Sequence, residues 1–589
     1  MATRRKYLLY FVCAATAFVV LLLGWSRESY LFPTARPKRP SDGFIWRDVE
    51  PHYPLTSFRP LPTGKPRHLP PVQAKFPIEV ADAKETRLRR QGAVKDVFIR
   101  CWKTYKEFAW LRDEVRPVSG KPKDAFGGWG ATLIDSLDTL WIMGLREEFD
   151  LAVDAIHQQI SFNTTTASEI SVFETSIRLL GGLLSAYDLS GDQRLLSKAR
   201  DVGDMLDMAF DTPSRIPSPR WDIHAAARGV VQPAPDFMLL AELGSYTMEF
   251  TRLSLLTKDP KYYESVARIT DLLHETQMKT KLPGLWPTKV GTTARTLDKG
   301  DEYTLGAEAD SAIEYTAKMI ALLGGQLSLH EDMYLRSVDA AASRLFYRPL
   351  TPDNEDVLLS GTVRIYGSNE PKLETSAQHL SCFAGGMLAL GGRLVMNESH
   401  VELAKKLTHG CVWLYRAGPI GVMPEACSIA ACPKNASSCD WNENSSVWHA
   451  AIQARYGSAK PVAEIIAEKR LLPGFIDLYA PSYNLRPEAI ESVFLLYRVT
   501  AEPSLMDRAW EMWTAIVNAT TTELANSAVV NVSPEAGQRP KLSDSMESFW
   551  LSETLKYFYL VFSEPELINL DEWVFSTEAH PFRREAPAQ

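Results

Sequence analysis

A recurrence along the chain restricts its fold more than any other feature. An acidic or polar residue stands at or near the start of successive apolar helical segments, at Asp135, Glu174, Glu242, Asp310, His379, Glu488 and Glu553, with gaps of 39, 68, 68, 69, 109 and 65 residues. The segments, among them SIRLLGGLLSAYDL, SYTMEFTRLSLL, ESVFLLYRV and SFWLSETLKYFYLVF, carry apolar residues at three- and four-residue spacing, and strand-like alternation is scarce. A period of about 65 to 70 residues holds two helices and their connections, which predicts an all-α fold of stacked helical hairpins. The short first gap and the long fifth depart from a strict repeat. The fifth contains Cys427, Cys432 and Cys439 and reads as an inserted surface region. Seven hairpins closed on themselves would line an axis with one helix of each pair and gather the polar helix ends at one mouth, as a pocket.

Acidic residues embedded in apolar runs such as SVFETSIRLL and LRPEAIESVFLL need a reason to be there, because buried carboxylates are rare unless paired or bound. Any single one reads equally well as a helix N-terminal carboxylate stabilised by capping and the helix dipole. Capping does not require neighbours on neighbouring helices, so their recurrence at equivalent places favours a convergent acidic cluster. With no nucleophilic Ser or Cys motif, phosphate loop or dinucleotide fingerprint, carboxylate-driven hydrolysis and cation binding remain. Glycoside hydrolysis needs two carboxyl groups in different protonation states, one to protonate the leaving oxygen and one to activate water. Phe173, Phe494 and Phe549 flank the acids, although aromatics at helical spacing are more often core than sugar platforms.

A formal net charge of -8 supplies no basic field for phosphate neutralisation and speaks against a nucleic-acid partner. Residues 7–25 are free of charge, and roughly 20 apolar residues span a bilayer as a helix. With Arg4, Arg5 and Lys6 in the short tail 1–6, this predicts a single-pass anchor with a cytosolic N-terminus and a lumenal remainder. Residues 26–95 hold 11 of the 37 prolines and read as an extended stem, leaving 96–582 as the catalytic body and 583–589 as a tail. Six N-x-Ser/Thr acceptors, at Asn163, Asn397, Asn435, Asn444, Asn518 and Asn531, suit a secretory lumen. Beyond Cys13 in the span, six cysteines remain, and in such a compartment disulfides are favoured over a zinc knuckle.

Six stretches carry a resemblance: GGWGATLIDSLDTLWIMGL, SVFETSIRLLGGLLSAYDLSGD, LGAEADSAIEY, LRPEAIESVFLLYRVT, SFWLSETLKYFYLVF and VFSTEAHPF. Together, from about Cys101 to Phe582, they resemble glycoside hydrolase family 47, the class I α-1,2-mannosidases that trim high-mannose N-glycans. The resemblance implies an (α/α)7 barrel, an inverting reaction and a place in the endoplasmic reticulum or Golgi membrane. It makes Glu174 the general acid, acting directly or through a water, Glu488 the base and Asp310 the third catalytic carboxylate. Arg178, Glu242, His379, Arg486, Glu491, Phe549, Glu553 and Glu578 match pocket positions that contact sugar or orient carboxylates. Thr577 matches the threonine that binds Ca²⁺ through its hydroxyl and main-chain oxygens. Cys382 and Cys411 match the family disulfide; Cys427, Cys432 and Cys439 are extra, able to form one bridge among themselves or to pair with Cys101.

Two stretches depart from the family pattern. Glu308 in LGAEADSAIEY stands where Arg or Leu is common, with Ala312 and Ile313 in place of aromatics, and an anion for a cation there bears on which glycan arm enters. In WLRDEVRP, Leu111 and Arg112 replace a Gly and a His or Lys. The alternative reading is a lectin-like or quality-control member of the same fold that binds glycan and hydrolyses weakly or with a partner. A helical-repeat scaffold would explain the hairpin period but not the acidic cluster.

Overall fold

The apolar segments fold into helices that pair as hairpins, an inner helix backed by an outer one. The computed structural model describes residues 44–293, 296–367, 370–433, 439–443 and 445–587. Six pairs follow in sequence: Leu137–Ile142 with Arg146–Gln159, Gly181–Ser190 with Gln193–Asp207, Thr247–Thr257 with Pro260–Thr276, Asp310–Leu322 with Ser328–Arg344, Phe383–Leu394 with Glu398–Ala417, and Glu488–Thr500 with Ser504–Thr520. The seventh inner helix, Leu555–Val561, packs on Ala81–Phe108 from the other end of the chain. Each inner helix touches the next, and Lys556 of the last reaches Asp138 of the first, so the ring closes.

That closure corrects the expected stem. Ala81–Phe108 buries Val94, Phe98, Cys101, Trp102 and Tyr105, a stripe at helical spacing that makes it the seventh outer helix. The compact unit begins at Ile45, and Trp46 and Val72 are buried in it, so the Pro-rich composition describes a strap laid on the barrel from Ile45 onward. The tail is likewise folded back: Glu585 N–H donates to Leu322 O at 2.9 Å. Among the described residues no helix is long and apolar enough to cross a membrane, and the span expected at 7–25 lies outside them.

Inner helices are apolar on nearly every face because the ring buries them all round. In Phe383–Leu394 only Arg393 escapes burial, and Gly391 gives the Tyr334 ring a close approach that any Cβ would block. The all-α expectation is also corrected. Short antiparallel strands form a rim just before the inner helices begin: Ile170–Ser171 pairs with Arg220–Trp221, and Phe237–Leu239 with Lys289–Gly291. Two three-stranded sheets join them, Glu302–Thr304 with Thr362–Arg364 and Lys372–Glu374, and Ser376–Gln378 with Ala426–Ile429 and Phe475–Ala480. Long connections crossing the barrel end must pair their backbone groups, and short ribbons are the local solution.

The long fifth gap holds the predicted insertion. Helices Ser446–Tyr456 and Val462–Lys469 pack against Phe475–Ala480 over a small core that includes Trp448, Ile452 and Ile465. Cys382 and Cys411 are bonded, tying the entry of the fifth inner helix to its outer partner, and Cys432 bonds Cys439. Cys101 and Cys427 are free and buried, so the extra bridge is local and does not involve Cys101. Asn518 is exposed, Asn163, Asn397 and Asn531 are half-buried, and Asn435 and Asn444 lie outside the described residues.

Candidate active site

At the rim end of the ring the N-termini of the inner helices surround a cavity of about 300 Å³. Its wall holds nine carboxylates, from Glu174, Glu242, Glu308, Asp310, Glu314, Glu488, Glu491, Glu553 and Glu578, against three arginines, Arg178, Arg220 and Arg486. Every residue that the sequence assigned to catalysis, substrate or metal lines this cavity except His379, which stands behind Glu488. A helix start is where such groups gather, because the dipole and free N–H groups there favour negative charge.

Glu174 ends the single turn Val172–Glu174, whose cap Ser171 accepts a hydrogen bond from Glu174 N–H. The helix then widens into a π-helical stretch, Thr175–Leu180, a local irregularity frequent at functional sites. Across it Arg178 Nε donates to Glu174 Oε2 at 2.8 Å while Nη1 donates to Glu578 Oε2 at 3.0 Å and Ser548 Oγ at 3.1 Å. Phe549 receives two guanidinium groups on its ring, Arg178 at 5.6 Å and Arg486 at 5.5 Å from the centroid. Arg486 is aimed by Glu425, which accepts its Nε–H at 2.9 Å.

Glu488 opens the sixth inner helix. Its Oε2 lies 2.8 Å from His379 Nδ1, and its Oε1 lies 3.8 Å from Arg486 Nη1. Burial works against its charge, yet the His379 hydrogen bond and then Arg486 hold its carboxyl below the ordinary range. An ionised carboxylate only accepts, so His379 Nδ1 carries a proton, while its Nε2 lies 2.8 Å from Tyr415 Oη. Asp310 goes the other way: burial, reinforced by Glu314 and Glu488, pushes it up to about 7. Burial and neighbouring carboxylates also raise Glu491, Glu553 and Glu578, although Lys318 and Arg178 oppose the rise. The cavity therefore holds one carboxylate kept ionised beside others raised toward protonation.

Thr577 and Glu578 sit at the tip of a hairpin, Trp573–Phe575 with Pro581–Arg583, whose turn enters the ring. Buried groups fix that tip: Thr577 N–H donates to Tyr315 Oη, Lys318 Nζ to Ser576 O and Lys556 Nζ to Ala579 O. Among the described residues no three His, Cys, Asp or Glu side chains converge closely enough to hold a metal directly. The donors present are hard oxygens with an excess of negative charge, which fits a Ca²⁺ held by Thr577 and reached by carboxylates through water.

Sequence reasoning missed Glu314, Arg220 and Tyr415. Glu314 is disguised by its spacing, since an acid four residues before Lys318 reads as a surface helix pair, yet both are buried and bonded. Arg220 sits on a two-residue strand with no pattern to announce it. Tyr415 belongs to an outer helix and reaches the site only through His379. At the two departures the backbone is in the left-handed region, with φ 65° at Leu111 and φ 74° at Glu308. The glycine expected at the first is the residue that such a conformation favours.

A closed ring of helical hairpins around a pocket of opposed carboxylates defines a protein built for carboxylate-driven glycoside cleavage. Residues 97–584 match Glycosyl hydrolase family 47. The endoplasmic reticulum mannosyl-oligosaccharide 1,2-alpha-mannosidase of Homo sapiens is 35% identical over 533 residues, covering 89% of this chain and 69% of that protein. Mannosyl-oligosaccharide 1,2-alpha-mannosidase MNS1 of Arabidopsis thaliana is 32% identical, covering 84% and 79%. Among solved structures, the alpha-1,2-mannosidase from Trichoderma reesei superposes with a TM-score of 0.72 at 31% identity, over 84% of this chain and 99% of that one. The chain belongs to glycosyl hydrolase family 47.

Proposed function

We propose that the protein hydrolyses terminal α-1,2-linked mannose from high-mannose N-glycans, with inversion at the anomeric carbon and with Ca²⁺ at the Thr577 turn. The observation that carries this reading is Glu488: it stays ionised in a cavity whose buried acids are driven to hold protons. Glu488 takes the proton of the attacking water, with His379 fixing its orientation. Glu174, steered by Arg178, protonates the leaving oxygen directly or through a water. Asp310, which burial pushes up to about 7, donates a hydrogen bond toward the sugar in its protonated form. Thr577 would hold Ca²⁺ through its hydroxyl and main-chain oxygens, with Glu553 and Glu578 acting through water. When bound, the ion supplies a hard positive centre for vicinal sugar hydroxyls and offsets the carboxylate charge. The relatives' names supply the substrate, and three mammalian relatives named for the endoplasmic reticulum support residence there with 7–25 as the anchor. The ring of seven hairpins is then the (α/α)7 barrel.

Digestion of a nine-mannose N-glycan by the purified chain tests the proposal. Mannose is expected to be released from α-1,2 linkages in the presence of Ca²⁺, and chelation is expected to stop release and restored Ca²⁺ to revive it. Folded protein that binds the glycan but releases nothing would instead favour the lectin-like reading.

A further inference from the structure

We infer that Arg220 is a substrate-binding, specificity-determining residue that reads the sugars left outside the pocket when the terminal mannose is seated; the inference rests on the mannosidase reading above. Arg220 pairs in register with Ser171 across the rim ribbon, which places its guanidinium at the entrance to the Glu174 helix. Its Nη1 donates to Ser171 Oγ at 2.8 Å and to Glu242 Oε1 at 3.3 Å, with Pro219 O at 3.5 Å. Among the described residues no protein group meets its Nε or Nη2. The other two arginines of the cavity are committed, Arg178 to Glu174, Glu578 and Ser548, and Arg486 to Glu425. Arg220 therefore has donors to spare.

Depth decides which sugar it meets. The side chains of Glu491 and Glu578 are 5% and 7% exposed, whereas that of Arg220 is 56% exposed. A terminal mannose seated among the buried acids leaves the rest of the glycan at the rim, where Arg220 stands. Glu308, also exposed, shares that rim: its carbonyl accepts Ala241 N–H at 2.9 Å, next to Glu242. A planar fork with free N–H groups, in a cavity that Glu308 also lines, can bind vicinal sugar hydroxyls.

The test compares the wild-type chain with Arg220→Ala and Arg220→Lys on the nine-mannose glycan and on α-1,2-mannobiose, which lacks the outer arms. For Arg220→Ala, KM on the nine-mannose glycan should rise about tenfold, the loss of one charge-assisted hydrogen-bonding group, with kcat within about twofold. The order of mannose release should change, mannobiose should be affected far less, and Arg220→Lys, which keeps the charge without the fork, should fall between. Unchanged KM and release order would overturn the inference. So would an equal loss of kcat on both substrates, which would mean that Arg220 merely supports Glu174 through Ser171. If the wild-type chain cleaves neither substrate, the mannosidase reading has failed, and binding to immobilised nine-mannose glycan decides. Binding about tenfold weaker in Arg220→Ala supports the rim contact, and unchanged or absent binding overturns it.

Discussion

Replacing Glu488 by Gln is expected to lower kcat for mannose release by about 10²- to 10⁴-fold, the range of a positioned general base, with glycan binding retained. The amide keeps the size of the carboxyl and can still accept from His379 Nδ1, so the geometry at 2.8 Å survives while the charge is lost. Of the deep acids only Glu488 is both held ionised and oriented by His379, whereas burial pushes Asp310 up to about 7 and raises Glu491, Glu553 and Glu578 toward protonation. Steady-state kinetics with glycan binding measured in parallel checks this. A kcat within about tenfold of wild type would remove Glu488 from the base role.

Lys556→Met is expected to lower stability by about 3–5 kcal/mol, because it strips one partner from a fully buried charge network. Lys556 and Asp138 are both 0% exposed, with Nζ 2.8 Å from Oδ1. Asp138 also receives His580 Nδ1 at 2.8 Å and Ser185 Oγ at 2.9 Å, and His580 Nε2 reaches Asp135 at 3.1 Å. Burial opposes the charge on Asp138, but Lys556 and then His580 hold its carboxyl below the usual range. Burial opposes His580 as well, and Asp138 and Asp135 outweigh it, pushing the imidazole up to about 9. The lowered Asp138 contributes stability above its ordinary 3.8, lost as pH falls through its depressed value. The raised His580 contributes stability that is complete below its ordinary 6.5 and lost as pH rises through about 9. In urea unfolding of the wild type the network should therefore contribute most between those two ordinary values, and the variant is compared with it there. The same network holds Ala579 O and His580, so the Thr577–Glu578 tip should shift and kcat/KM fall with stability. An unfolding midpoint unchanged by the substitution would contradict this role.

The hairpin count was legible because each repeat must bury its own stripe, and an apolar stripe of period 3.6 is written locally. Of the seven recurring polar residues, Glu174, Glu242, Asp310, Glu488 and Glu553 meet at one mouth, whereas His379 stands behind Glu488 and Asp135 is buried against His580 and Ser548. What escaped is what depends on distant partners. Ala81–Phe108 packs against Leu555–Val561, and nothing within the Pro-rich stretch before it announces a partner some 450 residues away. The protonation states of Asp310 and Glu488 were equally hidden, since one carboxylate is turned up and the other down by groups from different hairpins. Arg220 gains meaning only when a two-residue strand pairs it with Ser171.

Inversion requires a water activated by Glu488 to attack the sugar from the face opposite the departing oxygen. Proton NMR of the mannose released in the first minutes, before mutarotation scrambles the anomers, tests that most directly. β-Mannose is expected from the α-linked substrate; initial release of α-mannose would mean retention and would contradict the role of Glu488 as base.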